Sequence, residues 1–134
     1  EKKLNLSKVN TFKKFIKEIN VSKNRLLKLL NEISKKGKSI HCYGASTKGN
    51  VLLQYYKINN KMIKFAAERN KSKYNLYTPG SMIKIISEKI SRSYKPDYYL
   101  VLPWHFKKEI LIREKKIRKS GTKLIFPLPK LEII

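Results

Sequence analysis

Tyr98-Tyr99-Leu100-Val101-Leu102 is an unbroken run of apolar and aromatic residues held between Lys95-Pro96-Asp97 and Pro103. A strand with one wet face alternates polar and apolar residues. A strand without alternation is covered on both faces, as in a parallel sheet between two helical layers. The neighbouring segments fit that frame. Ser39–Tyr43, Ile63–Ala67, Met82–Ile86 and Thr122–Phe126 read as further short strands, so the sheet should hold about five. Asn50–Tyr56, Ser87–Ser93 and His105–Lys119 read as helices, with Ser87 as an N-cap and Ile110, Leu111 and Ile117 as the inner stripe of the last. Strands alternating with helices through short loops specify right-handed crossovers, and hence an α/β, Rossmann-like three-layer domain with a mainly parallel sheet.

Ahead of this unit the period is helical. Phe12, Phe15, Ile16 and Ile19 lead to Leu26, Leu27, Leu29, Leu30 and Ile33, with Gly37 as the stop. Asn20 and Ser22 are placed to divide this stretch into two helices, and residues 1–10 read as a polar linker. The expected division is residues 1–37 as linker and N-terminal helical segment, and 38–134 as the Rossmann-like domain. Asn70–Ser81, with Asn75, Pro79 and Gly80, reads as a long loop, and Pro127-Leu128-Pro129 as the start of an extended tail.

The 134 residues fit one domain, and at 41% hydrophobic they can bury one core. No apolar run approaches the ~18 residues of a membrane span, and the lysine-rich start lacks a signal-peptide pattern. Cys42 is the only cysteine, which excludes an internal disulfide and a cysteine-based zinc cluster, and suits a cytoplasmic protein. His41 and His105 have no acidic cluster near them, so no metal site is expected. The formal charge of +23 raises nucleic acid as a partner. Only five of the 32 basic residues are arginine, however, and the lysines are scattered, as on a solvated surface.

The stretch richest in chemistry is Tyr43-Gly44-Ala45-Ser46-Thr47-Lys48-Gly49-Asn50, which joins the first strand to a helix. Such a turn offers backbone N–H groups and a positive helix end to an anion. Gly44 and Gly49 admit close approach, the Ser46 and Thr47 hydroxyls can donate, and Lys48 carries a full charge. The spacing is neither that of a Walker loop nor G-x-G-x-x-G. The alternative is a tight turn that serves packing alone. Glu68-Arg69-Asn70 closes the second strand. Glu68 is placed either to meet a ribose hydroxyl or to pair with Arg69 or a nearby lysine. The loop Lys73–Gly80 brings a cation and aromatic residues, among them Tyr77. Trp104 and His105 follow the apolar strand at the sheet's carboxyl edge, with Trp104 either shaping a cleft or covering the core.

Tyr43–Asn50, Arg69-Asn70, Tyr77-Thr78-Pro79-Gly80-Ser81, Lys95-Pro96-Asp97-Tyr98, Leu102-Pro103-Trp104 and Phe126-Pro127-Leu128-Pro129 occur in that order. Together they resemble the C-terminal domain of S-adenosylmethionine-dependent C-methyltransferases that modify nucleotide-linked deoxysugars. The resemblance runs from about Lys38 to Ile134. It implies that the chain is one of three parts, the others being a zinc-binding portion and a central methyltransferase domain that holds the donor and the catalytic residues. It assigns no catalytic residue, metal or cofactor to this chain. What it carries over is a share in sugar-nucleotide binding and packing on the upstream methyltransferase domain. His105 stands where that family usually has Asn, and Glu68 where it more often has Asp. A purely structural domain and a polyanion-binding module are the rival expectations.

Overall fold

A computed structural model describes the backbone of residues 2–134 and the side chains of residues 6–134. It begins with a single long helix α1 (Lys2–Lys35) and continues through β1 (Ile40–Tyr43), α2 (Thr47–Tyr55), β2 (Phe65–Glu68), β3 (Lys84–Ser87) and α3 (Glu88–Ser93). After these come β4 (Tyr98–Val101), α4 (Lys107–Arg113), α5 (Lys115–Lys119), β5 (Lys123–Phe126) and β6 (Glu132–Ile133). The six strands form one sheet in the order β3-β2-β1-β4-β5-β6. Every pairing is parallel except β5 with β6.

Alternation along the strands divides the core into two. Ile40 and Cys42 of β1, Ala66 of β2, Ile85 of β3 and Leu100 of β4 pack with Leu26, Leu30 and Ile33 of α1 and Leu52 and Leu53 of α2. Tyr43, Ala67, Tyr99, Val101, Leu124 and Phe126 pack on the other face with Ile110 of α4, and with Leu111 and Ile117 beside it. Tyr99, Leu100, Val101 and Leu102 are all at most 1% exposed, as a strand covered on both faces requires. Each such side chain contributes roughly 1.5–3 kcal/mol on burial.

The structure departs from the sequence expectations in four places. Residues 2–10 are the first turns of α1 and not a linker, and Asn20 and Ser22 do not interrupt it. Ser22 instead accepts a 3.1 Å hydrogen bond from the Tyr56 hydroxyl. Next to it, burial of Leu26 and Leu30 holds the helix on course. Secondly, α2 starts at Thr47, because the Ser46 hydroxyl accepts from the Gly49 amide and caps it there. Thirdly, the expected His105–Lys119 helix is two helices that meet at Glu114, whose carboxylate turns into the interior. Lastly, the tail returns antiparallel to β5 and adds a sixth strand.

The expected stops and caps are in place. Gly37 adopts φ 72° while Lys38 N–H reaches back to the Ile33 carbonyl, which closes α1. The Ser87 side chain accepts from the Ile90 amide and caps α3.

Candidate functional site

In a parallel sheet of this order the strands on either side of the β1–β4 pair are reached by connections running in opposite directions. Their carboxyl ends part there and leave a crevice. Here the crevice is bounded by Gly44–Ser46 after β1, Glu68 at the end of β2 with Arg69 after it, and Pro103 after β4. It holds a cavity of about 230 Å³. A second hollow of about 300 Å³ adjoins it, sharing Tyr43, Arg69, Pro103 and Arg113.

The glycine turn is tied down by the chain itself. Gly44 has φ 86°, and its amide donates to the Ala67 carbonyl at 2.8 Å. The Glu68 carboxylate accepts from the amides of Ala45 at 2.8 Å, Arg69 at 3.1 Å and Asn70 at 3.2 Å. Lys73 donates to the Ala45 carbonyl at 3.1 Å. The anion nearest the turn is therefore Glu68. Its oxygens are directed at backbone amides and not outward, as a ribose contact would need. The Thr47 and Lys48 amides lie in the first turn of α2 and have no preceding carbonyl to bond.

Across the cleft stands a charge network joining four elements. Glu88, the first residue of α3, takes both oxygens to the Arg113 guanidinium at 2.6 and 2.8 Å. It also lies 3.3 Å from Arg92 and 3.5 Å from Arg69. Glu114, only 2% exposed, accepts from Arg92 at 2.7 Å and from the Tyr43 hydroxyl at 2.8 Å. Burial, then donation to Glu114, holds the Tyr43 phenol protonated well beyond its ordinary range. Of the charged groups that line the cavity, Arg69, Lys73 and Arg113 face Glu68 and Glu88, which leaves one positive charge in excess. Arg69 is the freest of them, with a 67% exposed side chain and, among the described residues, one long ionic contact. A guanidinium with spare parallel N–H groups suits an oxygen dianion such as a phosphate.

The expected site residues divide into two groups. Gly44, Ala45, Ser46, Glu68, Arg69 and Lys73 line the cavity. Thr47 and Lys48 are exposed on the first turn of α2, beside the cavity but not in its wall. Gly49 is buried against Leu102, where an added Cβ would stand 2.5 Å from Leu102 Cβ. Asn50 is half-buried, and its Oδ1 has no hydrogen-bond partner among the described residues. The Asn70 side chain accepts from the Ser72 amide and hydroxyl, capping a 3-10 turn. Trp104 is half-buried against both halves of the core, as a cover, and exposed His105 packs on Phe106 with ring centres 4.3 Å apart. Neither lines the cavity. Tyr77 bridges to Lys84, the first residue of β3, and so stands toward the amino edge of the sheet, away from the crevice.

Tyr43, Glu88, Pro103 and Arg113 were missed, as were Arg92 and Glu114 behind them. The available signal was arginine scarcity. Three of the chain's five arginines stand in this one network, where scattered lysines do not.

A larger hollow, about 640 Å³, lies at the opposite edge among Arg92, Lys95, Asp97, Lys116 and Thr122. Three of its polar groups are committed elsewhere: Asp97 accepts from the Ser39 amide, Thr122 donates to the Pro96 carbonyl, and Arg92 holds Glu114. The C-terminal ends of α3 and α5 face it, which opposes an anion there. The smaller crevice is the better candidate.

Comparison with known proteins adds two findings. The family model described as the C-methyltransferase C-terminal domain matches residues 1–129. The chain is also 33% identical over 110 residues to the C-methyltransferase NovU of Streptomyces niveus. That match covers 82% of this chain but only 26% of the relative, so the chain spans about a quarter of its length.

Proposed function

Since the chain belongs to the C-methyltransferase C-terminal domain family, we propose that it is the substrate-side domain of a cytoplasmic, S-adenosylmethionine-dependent C-methyltransferase acting on a nucleotide-linked sugar. In this reading the crevice takes the sugar nucleotide's diphosphate, and the domain packs on a catalytic portion that holds the methyl donor and a zinc site. The mostly parallel strand order supports this reading, since open parallel sheets bind ligands at a crevice such as the one described above. The observation that carries the reading is the cationic wall of that crevice, with Arg69 exposed at its mouth. Arg69 is placed to hold the diphosphate, with Lys48 and the first-turn amides of α2 as the opposing donors.

The residues here do not suit the methyl donor itself. A donor nucleoside needs a carboxylate free for both ribose hydroxyls, and three of the roughly four acceptor positions of Glu68 are taken by backbone amides. The same observation favours the second reading, a domain whose glycine turn serves structure alone. Calorimetry of the full-length enzyme with a nucleoside-diphosphate sugar separates the two. Charge-assisted hydrogen bonds contribute about 1.5–3 kcal/mol each. Arg69→Ala should therefore weaken binding by about tenfold or more, and Lys48→Ala by a similar or smaller factor. Unchanged affinity in both variants would leave the structural reading. The 134-residue chain alone should be inactive and should show no saturable binding of S-adenosylmethionine.

A further inference from the structure

Ile33, Leu30, Leu26, Ile19, Phe15 and Phe12 follow one another along α1 at spacings of three, four or seven residues, which places them on one face. Ile33, Leu30 and Leu26 are buried in the core, and Ile19 is half-buried at its rim. Beyond Ile19 the same face continues without cover. Phe12 is 62% exposed and Phe15 58%, with Leu6, Val9 and Ile16 exposed around them. At 1.5 Å per residue, roughly 18 Å of helix carries this bare stripe. Isolated exposed apolar residues are ordinary, but a continuous stripe of this size marks an interaction surface.

We infer that this stripe is the docking surface for the catalytic portion of the same enzyme, and that it meets there an apolar groove rimmed by acidic residues. The inference rests on the reading that this chain is one part of a larger methyltransferase. Two observations choose that occupant. The stripe is flanked by Lys8, Lys13, Lys14 and Lys17 against the single acid Glu18. Two copies brought together on this face would repel, whereas an acidic rim would complement it. The stripe also faces the same side as the domain body, because it continues the buried face. A flat bilayer laid on Phe12 and Phe15 would meet the sheet layer next to it. A body of finite size seated beside the domain would not.

The test compares backbone amide exchange over residues 6–19 in the full-length enzyme and in the 134-residue chain. At least tenfold slower exchange in the full-length enzyme is expected. In that enzyme Phe12→Glu/Phe15→Glu should restore the fast exchange, and Lys13→Glu/Lys17→Glu should raise it several-fold. Equal exchange in the two proteins would overturn the proposal. So would sedimentation of the 134-residue chain as a dimer that the Phe12→Glu/Phe15→Glu pair dissociates, or its flotation with phosphatidylserine-containing vesicles. Unchanged exchange in the lysine variant would overturn the acidic rim. Nucleotide-sugar affinity of the 134-residue chain, measured separately, reports on the crevice. Loss of one reading is thus distinguishable from loss of the other.

Discussion

Gly49 and Leu102 touch so closely that a Cβ on Gly49 would lie 2.5 Å from Leu102 Cβ and 2.8 Å from its Cδ1. Leu102 is fully buried and has no room to yield. The closeness of α2 to the end of β4 is therefore set by the absence of one methyl group, and the crevice at Gly44–Ser46 inherits its shape from that contact. Alanine is the better helix former by about 1 kcal/mol, yet Gly49→Ala should destabilise the chain by about 1–3 kcal/mol through overpacking. Leu102→Ala alone should cost about 2–5 kcal/mol. The double variant should lose only somewhat less than the two together, since Leu102→Ala removes the Cγ and Cδ1 that a Gly49 Cβ would meet at 3.0 and 2.8 Å but keeps the Cβ at 2.5 Å. Urea denaturation of the four proteins measures this, and a Gly49→Ala variant at least as stable as the wild type would refute the contact as the reason for the glycine.

Glu68 is the internal anion of the turn, so its removal should act first on stability. Glu68→Ala leaves the Ala45, Arg69 and Asn70 amides without their acceptor. A loss of about 2 kcal/mol is expected, with faster exchange at those three amides. Nucleotide-sugar affinity should fall less than in Arg69→Ala. The opposite ranking, with affinity lost and stability kept, would return Glu68 to the ribose role that its position at the end of β2 suggests.

What could be read from the sequence is what is decided locally. Gly37 ends α1 and Ser87 begins α3 because each acts on amides within a turn of itself. The apolar run at β4 announces a doubly covered strand without any partner being known. Ser22 misled because its local tendency to break a helix is overridden by Tyr56 and by the burial of Leu26, 34 residues and one helix face away from any local rule. The crevice was half legible. Gly44, Glu68 and Arg69 stand at strand ends, whereas Tyr43 and Glu114 meet across 71 residues of sequence, and no spacing rule reaches so far. Tyr77 went to the other edge because the returning loop pairs it with the start of β3.

Arg92 should matter to the fold as well as to the field of the crevice. It donates to buried Glu114 at 2.7 Å, and Glu114 keeps only Tyr43 and a 3.5 Å approach of Arg113 once Arg92 is gone. Breaking a buried ion pair from one side costs about 3–5 kcal/mol. Because the Arg92 side chain is 38% exposed, a loss nearer 2 kcal/mol is expected for Arg92→Met. Replacing both partners removes the stranded charge, so Arg92→Met/Glu114→Leu should recover part of that loss. A double variant less stable than Arg92→Met alone would show that Glu114 is held chiefly by the Tyr43 hydroxyl.

His41 makes the stability of the chain depend on pH in a window that the carboxylates alone would not give. The ring is 2% exposed, with Nδ1 2.7 Å from the Ser91 hydroxyl, and Ser91 in turn is 2.7 Å from the Tyr99 hydroxyl. Phe65, Tyr94 and Tyr99 meet the ring nearly edge-on. Burial, with a smaller push from the Lys64 ammonium, lowers the His41 pKa from 6.5 to about 4. The unfolded chain therefore takes up this proton first as pH falls. Where the unfolded state binds more protons, stability rises with pH. The contribution of the neutral ring is thus whole above pH 6.5 and is lost as pH falls from 6.5 toward 4. A displacement of that size corresponds to about 3 kcal/mol in all. His41→Phe keeps an aromatic ring among Phe65, Tyr94 and Tyr99 and removes the titration, while Ser91 keeps Tyr99 as partner. Urea midpoints taken between pH 4 and 7 should fall more steeply in the wild type than in His41→Phe. Parallel curves, or an imidazole that titrates near pH 6.5 by NMR in the folded chain, would show the ring to be solvated and the network at Ser91 to be open.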